Sequence, residues 1–186
     1  AFERSLKKLG MDYVDLYLVH WPIRGLFPET YKALEHLYKE GRVKAIGVSN
    51  FLDHHLKELL ETAEIKPMMN QIELHPKLVE QATIDFCKEQ DIVIESWAPL
   101  GRANYLDDAR LKHLAEKYGK STAQIILRWH IEQGFVVIPK STNPERQKQN
   151  LAVFDFELTG EEMKMIHQLG KDEALRIGSH PDDISK

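Results

Sequence analysis

Five short apolar runs in this chain end on, or carry, side chains suited to gripping a small molecule. Asp15-Leu16-Tyr17-Leu18-Val19 is followed by His20, the run 43–48 by Ser49 and Asn50, and Met68-Met69-Asn70-Gln71-Ile72 carries Gln71. Ile92-Val93-Ile94 leads to Ser96 and Trp97, and the run 135–138 to Pro139-Lys140-Ser141. The chemistry on offer is recognition by hydrogen bond and charge. A neutral imidazole donates one hydrogen bond without titrating, and Asn and Gln supply both donors and acceptors. Lys140 ends a run and Arg146 lies just inside a predicted helix, so both can converge on a phosphate at that helix start.

Each of these residues also has an ordinary structural explanation. His20 and Trp97 suit a core, Ser49 and Asn50 suit turn capping, Gly101 suits a turn, and Lys140, Ser141, Thr142 and Arg146 suit a solvated surface. Other candidates are weaker. His54-His55 falls on a polar helix face and reads as solvated. Glu73 and His75 point to one side of a strand, but two groups make a poor metal site, so no metal is expected. Cys87 follows helical core spacing, with no partner to suggest a reactive thiol.

The elements that must position these residues alternate. Phe2, Leu6 and Leu9 recur at helical spacing, and Gly10 suits a left-handed stop. Gly25 and Pro28 mark a loop, and Tyr31, Leu34, Leu37 and Tyr38 a helix closed by Gly41. Leu56, Leu59, Leu60 and Ala63 line a third helix, and Val79, Thr83, Phe86 and Cys87 a fourth. Pro99-Leu100-Gly101-Arg102 reads as a loop, followed by Leu111, Leu114, Ala115 and Tyr118 on a helix stopping at Gly119. Ser121 with Gln124 forms a capping box, as does Thr159 with Glu162, and Asn143 is an N-cap with Pro144 at the first helical position. Gly170 is expected to end the last helix, with polar loop from Lys171 onward.

Strands that are continuous apolar runs, separated by helices, are the signature of a parallel sheet covered by helices. The strand-end positions 20, 49, 71 and 97 lie 29, 22 and 26 residues apart, one βα unit each. The 43 residues from 97 to 140 fit one unit with an inserted helix. No linker divides the 186 residues, which read as a single domain of α/β class. In a barrel of parallel strands, ligands collect at the carboxyl ends.

Bulk composition narrows the partners. A net charge of -4 gives no general attraction to nucleic acid or an anionic membrane. One cysteine excludes an internal disulfide, and no run approaches membrane-spanning length. With no signal-peptide pattern, the expected location is cytoplasmic.

The segments 41–51, Asn70-Gln71-Ile72-Glu73-Leu74-His75-Pro76, Trp97-Ala98-Pro99-Leu100-Gly101 and Ile138-Pro139-Lys140-Ser141 closely resemble the aldo-keto reductases, as does 15–22. The similarity spans nearly the whole chain, with the motifs in family order. The ending Arg176-Ile177-Gly178 is similar to short-tailed bacterial members that include diketogluconic acid reductases. The resemblance implies a (β/α)8 TIM barrel that reduces aldehydes and ketones to alcohols with NADPH, monomeric when complete. Such a barrel typically takes about 250 residues. The expectation here is therefore an incomplete barrel, the C-terminal portion, with five parallel strands and their helices, whose edge strands are open to pairing with another chain.

The resemblance also assigns roles. His20 becomes the catalytic histidine that orients the carbonyl oxygen, with Trp21 beside the substrate. Ser49, Asn50 and Gln71 hold the nicotinamide carboxamide, and Trp97 faces the nicotinamide ring. Leu100, Gly101 and Arg102 occupy the place of the pyrophosphate loop. Lys140, Ser141, Thr142 and Arg146 match the clamp on the adenosine 2′-phosphate, and Gln149 and Asn150 the adenine contacts, although Gln149 replaces a common Glu. The family's catalytic Tyr, Lys and Asp belong to units that precede the one ending at His20. None of the tyrosines at 13, 17, 31, 38, 105 and 118 matches that motif. The alternative is a non-catalytic nucleotide-binding or interaction module derived from the same fold.

Overall fold

Apolar runs become strands and 3.6-period segments become helices in regular alternation, as a computed structural model of the chain shows. It describes residues 1–172 and 174–184. The order of the five strands is sequential, β1-β2-β3-β4-β5, and they run parallel, each crossover carrying a helix. The order has two ends, β1 and β5, in keeping with an incomplete barrel. The described residues form two compact units, one of residues 1–71, 82–93 and 180–184 and the other of 72–81 and 94–179.

The first unit opens with α1 (Phe2–Leu9), which ends on Gly10 at φ 65° and buries Phe2 and Leu6. Leu9 does not join that face and is exposed. β1 (Val14–Val19) pairs with β2 (Val43–Ser49) in the register Val14 to Val43 through Val19 to Val48. Between them runs α2 (Phe27–Lys39). The loop expected around Pro28 is in fact the first turn of α2, where the missing N–H of proline costs nothing. α3 (Asp53–Leu60) buries Leu56 and Leu59, and α4 (Gln81–Glu89) buries Ile84 and Cys87. Phe27 meets Phe51 edge to face at 5.2 Å at the centre of this core. Glu35 points inward and accepts hydrogen bonds from the backbone N–H groups of Glu64 and Ile65, both at 2.8 Å, so its burial leaves no stranded carboxylate.

β3 (Met69–Glu73) and β4 (Val93–Trp97) are short. The second unit continues with α5 (Ala109–Tyr118) and α6 (Thr122–Glu132), then β5 (Val136–Val137), α7 (Pro144–Leu151) and α8 (Gly160–Asp172). Its core gathers on the fully buried Trp129, with Leu111, Leu114, Ile125, Ile166 and Leu169. Ser121 and Gln124 form the reciprocal box at the start of α6, and Thr159 and Glu162 do the same for α8. Asn143 caps α7. Two expectations fail here. β5 is two residues long, with Ile138 already exposed. Gly170 lies within α8 instead of ending it, and its lack of a side chain answers a close approach: a Cβ there would stand 2.7 Å from the backbone oxygen of Pro76. Lys171 and Asp172, expected as loop, are in α8; of the loop expected there, Glu173, Ser185 and Lys186 lie outside the described residues. Among the described residues no helix is long and apolar enough to cross a membrane.

Candidate functional site

In the first unit, the β2–β3 register sets Ser49 opposite Gln71. The Ser49 hydroxyl donates to the Gln71 carbonyl at 2.9 Å, and the Asn50 backbone N–H donates to the same oxygen at 2.8 Å. Asn50 takes φ 63°, a left-handed conformation uncommon for a non-glycine residue. From there its Nδ2 donates to the His20 carbonyl at 3.0 Å and to Ser49 Oγ at 3.1 Å. Ser49 and Asn50 are buried, while His20 is exposed and stacks on Trp21 with ring centroids 5.9 Å apart. Three strand ends are thus braced by one polar knot beside an imidazole that faces outward. The side chains of Ser49 and Asn50 bond to the backbone of neighbouring strand ends, 22 and 30 residues away, and not to their own turn as the capping explanation had it.

His54 and His55 behave differently from the solvated pair expected. His54 is exposed, but His55 is 8% exposed and packs edge-on to Phe27 and Phe51. Both Nε2 atoms approach Asp182 Oδ1, at 2.9 and 3.1 Å. The three groups lie close enough to surround an ion. The hydrogen bonds argue otherwise: His55 Nδ1 accepts from the Leu52 N–H at the start of α3, so Nε2 carries the proton and donates to Asp182. A metal would need that nitrogen bare. Burial, with the charge of His54, pushes the His55 pKa down to about 4.

The second unit holds a cavity of about 720 Å³. Trp97, Leu100, Arg102, Lys140, Ser141 and Arg146 line it, with Gln149 and Asn150. Two residues assigned to this group do not reach it. Thr142 is exposed outside the lining, and Gly101 is buried beneath the loop at φ 56°, where a Cβ would fall 2.3 Å from the Tyr105 ring. The turn explanation accounts for Gly101. Residues not singled out from the sequence also line the cavity, among them Ala98, Pro99, Ser121 and Thr122. Ser121 had been legible only as a helix cap. A further signal lies in the backbone: Ala98, Arg102 and Ala103 all adopt left-handed φ of 50°, 50° and 68°. Such conformations in non-glycine residues cost of order 1–3 kcal/mol each and cluster where a loop is shaped around a ligand.

Electrostatically the cavity is lopsided. Among the described residues Arg102, Lys140 and Arg146 have no acidic partner, although most other basic groups nearby are paired, as Lys148 is with Glu145 and Arg128 with Glu132. The backbone of α7 contributes less than expected, since Asn143 Oδ1 already accepts from the N–H groups of Glu145 and Arg146. An anion here would be held chiefly by side chains. Three cations, an indole and the apolar walls of Pro99, Leu100 and Ile138 suit a phosphorylated nucleotide, so the residues present fit the phosphate and adenine parts of NADPH.

Comparison with known proteins bears on the family. The model of the "Aldo/keto reductase family" matches residues 1–171. The chain is 54% identical over 184 residues to "Uncharacterized oxidoreductase YtbE" of Bacillus subtilis, covering 99% of this chain and 65% of that protein. It is 52% identical over 184 residues to the "Glyoxal reductase" of the same bacterium, covering 99% and 66%. Among solved structures, a mutant of Gox0644 in complex with NADPH superposes with a TM-score of 0.92 at 44% identity, covering 98% of this chain and 68% of that one. The chain thus spans about two thirds of the length of the relatives it matches, and over that span motif, fold and overall similarity coincide: it belongs to the aldo/keto reductase family.

Proposed function

We propose that the protein uses NADPH to reduce aldehydes or ketones to alcohols. The observation that carries this reading is the cavity on which Arg102, Lys140 and Arg146 converge without acidic partners, next to Trp97. A 2′-phosphate gives Lys140 and Arg146 a dianion to hold, which NADH lacks. The NADPH complex of Gox0644 and the glyoxal reductase of Bacillus subtilis support the cofactor and the class of substrate. Bound NADPH would supply a hydride to the carbonyl carbon, and the proton that completes the alcohol would come from the family's Tyr, which belongs to a unit preceding the one that ends at His20. For the chain's own residues, Ser49, Asn50 and Gln71 offer donors and acceptors to the carboxamide, and Trp97 offers its indole face to the nicotinamide. His20, exposed beside Trp21, donates a hydrogen bond that orients the substrate oxygen. It is the one member of the family's catalytic group that these 186 residues carry. These 186 residues alone are not expected to turn over, so the test is carbonyl-dependent NADPH oxidation by protein that also includes the units bearing the family's Tyr, Lys and Asp, and by its His20→Ala variant. Turnover should fall about 10²-fold or more in the variant while NADPH affinity stays nearly unchanged. NADPH binding with no turnover even when the units bearing the Tyr, Lys and Asp are present would identify a nucleotide-binding module instead.

A further inference from the structure

The second unit contains a buried carboxylate that the proposed chemistry does not use. Glu73, at the end of β3, has a side chain only 2% exposed. An ionised carboxylate taken out of water must be compensated by donors. It receives three: the Ile177 N–H reaches Oε1 at 2.6 Å, the Gly178 N–H reaches Oε2 at 2.8 Å, and His75 Nε2 lies 3.2 Å from Oε1. Burial alone would raise its pKa, but these hydrogen bonds outweigh burial and hold it below the ordinary carboxylate value.

The partners are a segment about a hundred residues further along the chain. Residues 174–178 form a strap after α8 with no helix or strand, and more than Glu73 holds them down. The Leu175 N–H donates to the Lys77 carbonyl at 2.9 Å, and Arg176 forms an ion pair with Glu80. At the far end of the strap, Gly178 lies against Trp97. A Cβ on Gly178 would stand 2.6 Å from Trp97 Cη2 and 3.1 Å from both Trp97 Cζ2 and Glu73 Oε2. Only a glycine backbone can lie between carboxylate and indole at that spacing. One edge of Trp97 is therefore set by the strap, and Trp97 also lines the cavity.

We infer that Glu73 is a positioning residue: by gripping the Ile177 and Gly178 backbone it seats the strap against the Trp97 indole and fixes the ring's stance at the cavity. The consequence for NADPH rests on the cofactor reading above, whereas the effect on Trp97 does not. Glu73→Gln keeps the size but turns an N–H donor toward a backbone N–H. Gly178→Ala keeps the Glu73 side chain and pushes a methyl chiefly into the indole, and less closely against the carboxylate.

The experiment labels the protein with 5-fluorotryptophan and follows Trp21, Trp97 and Trp129 by fluorine NMR without cofactor, then measures NADPH affinity by calorimetry. The Trp97 resonance is assigned by its loss in Trp97→Phe. In both variants it should shift or broaden while the Trp129 resonance stays, and NADPH affinity should drop about tenfold, the scale of one lost hydrogen bond to a charged group. A general loss of structure would move Trp129 as well, and if Glu73→Gln does so, Gly178→Ala decides. An unmoved Trp97 resonance in the folded variants overturns the inference and leaves the proposed function standing. Failure of the unaltered protein to bind NADPH overturns the proposed function, and the resonance still decides the role of Glu73.

Discussion

Asn50 Nδ2 donates to the backbone carbonyl of His20 at 3.0 Å, tying the residue that follows β2 to the one that follows β1. The imidazole assigned to the substrate is thereby held through its own main chain by a residue assigned to the cofactor.

The two roles of Asn50 can be separated. Asn50→Gly tolerates φ 63° and loses only the side-chain bonds, while Asn50→Ala adds backbone strain. Asn50→Gly should cost about 1–3 kcal/mol in urea unfolding, the range for lost buried hydrogen bonds, and Asn50→Ala more. Equal midpoints for the two variants would show that the left-handed backbone carries no strain.

Arg146 lines the cavity and among the described residues has no acidic partner. Arg146→Ala should weaken NADPH binding about 10- to 100-fold, the range for hydrogen bonds between charged groups, and leave NADH binding almost unchanged. Titration of tryptophan fluorescence with each nucleotide measures both, and equal losses would remove the 2′-phosphate assignment.

Glu162 links the start of α8 to α5. Burial raises its pKa, but the Lys117 ammonium and Tyr118 hydroxyl, both at 2.6 Å, together with the capping bonds of Thr159 pull it from 4.5 down to about 2. A carboxylate depressed in the folded state adds stability that is fully present above its unfolded pKa and is lost as pH falls through the folded one. The gap in urea midpoint between the unaltered protein and Glu162→Gln should hold near neutrality and close between pH 4.5 and 2. A gap independent of pH would mean that the charge of Glu162 contributes nothing.

His55 gives the corresponding test for a buried base. Its pKa falls from 6.5 to about 4, so the unfolded chain binds the proton more readily than the folded one. Stability from this group is present above pH 6.5 and drains away toward pH 4. His55→Gln should lower stability at neutral pH by losing the Leu52 hydrogen bond and flatten the slope across that window. Urea midpoints at successive pH values report both, and an unchanged slope would count against a buried neutral imidazole.

What the sequence determined by itself was local. The boxes at Ser121 with Gln124 and at Thr159 with Glu162, the cap at Asn143 and the stops at Gly10 and Gly119 each depend on residues within a turn of one another, whose hydrogen bonds form wherever the helix goes. The alternation of apolar runs with helical periods likewise displayed the parallel fold. Family motifs, read in order, carry the roles proposed for His20, Ser49 and Trp97, which spacing alone left open. Tertiary structure decided whatever depends on approach between distant segments. Gly170 has the composition of a helix stop, yet it sits within α8, where a glycine is needed because Pro76 passes too close for a side chain. His55 shares a polar dipeptide with His54, but Phe27, Phe51 and Asp182 enclose it. The lack of acidic partners at Arg102, Lys140 and Arg146 depends on which carboxylates fold elsewhere. Glu73 became legible only when the chain returned about a hundred residues later to set Ile177 and Gly178 on its carboxylate, since no local pattern encodes a hydrogen bond across that separation.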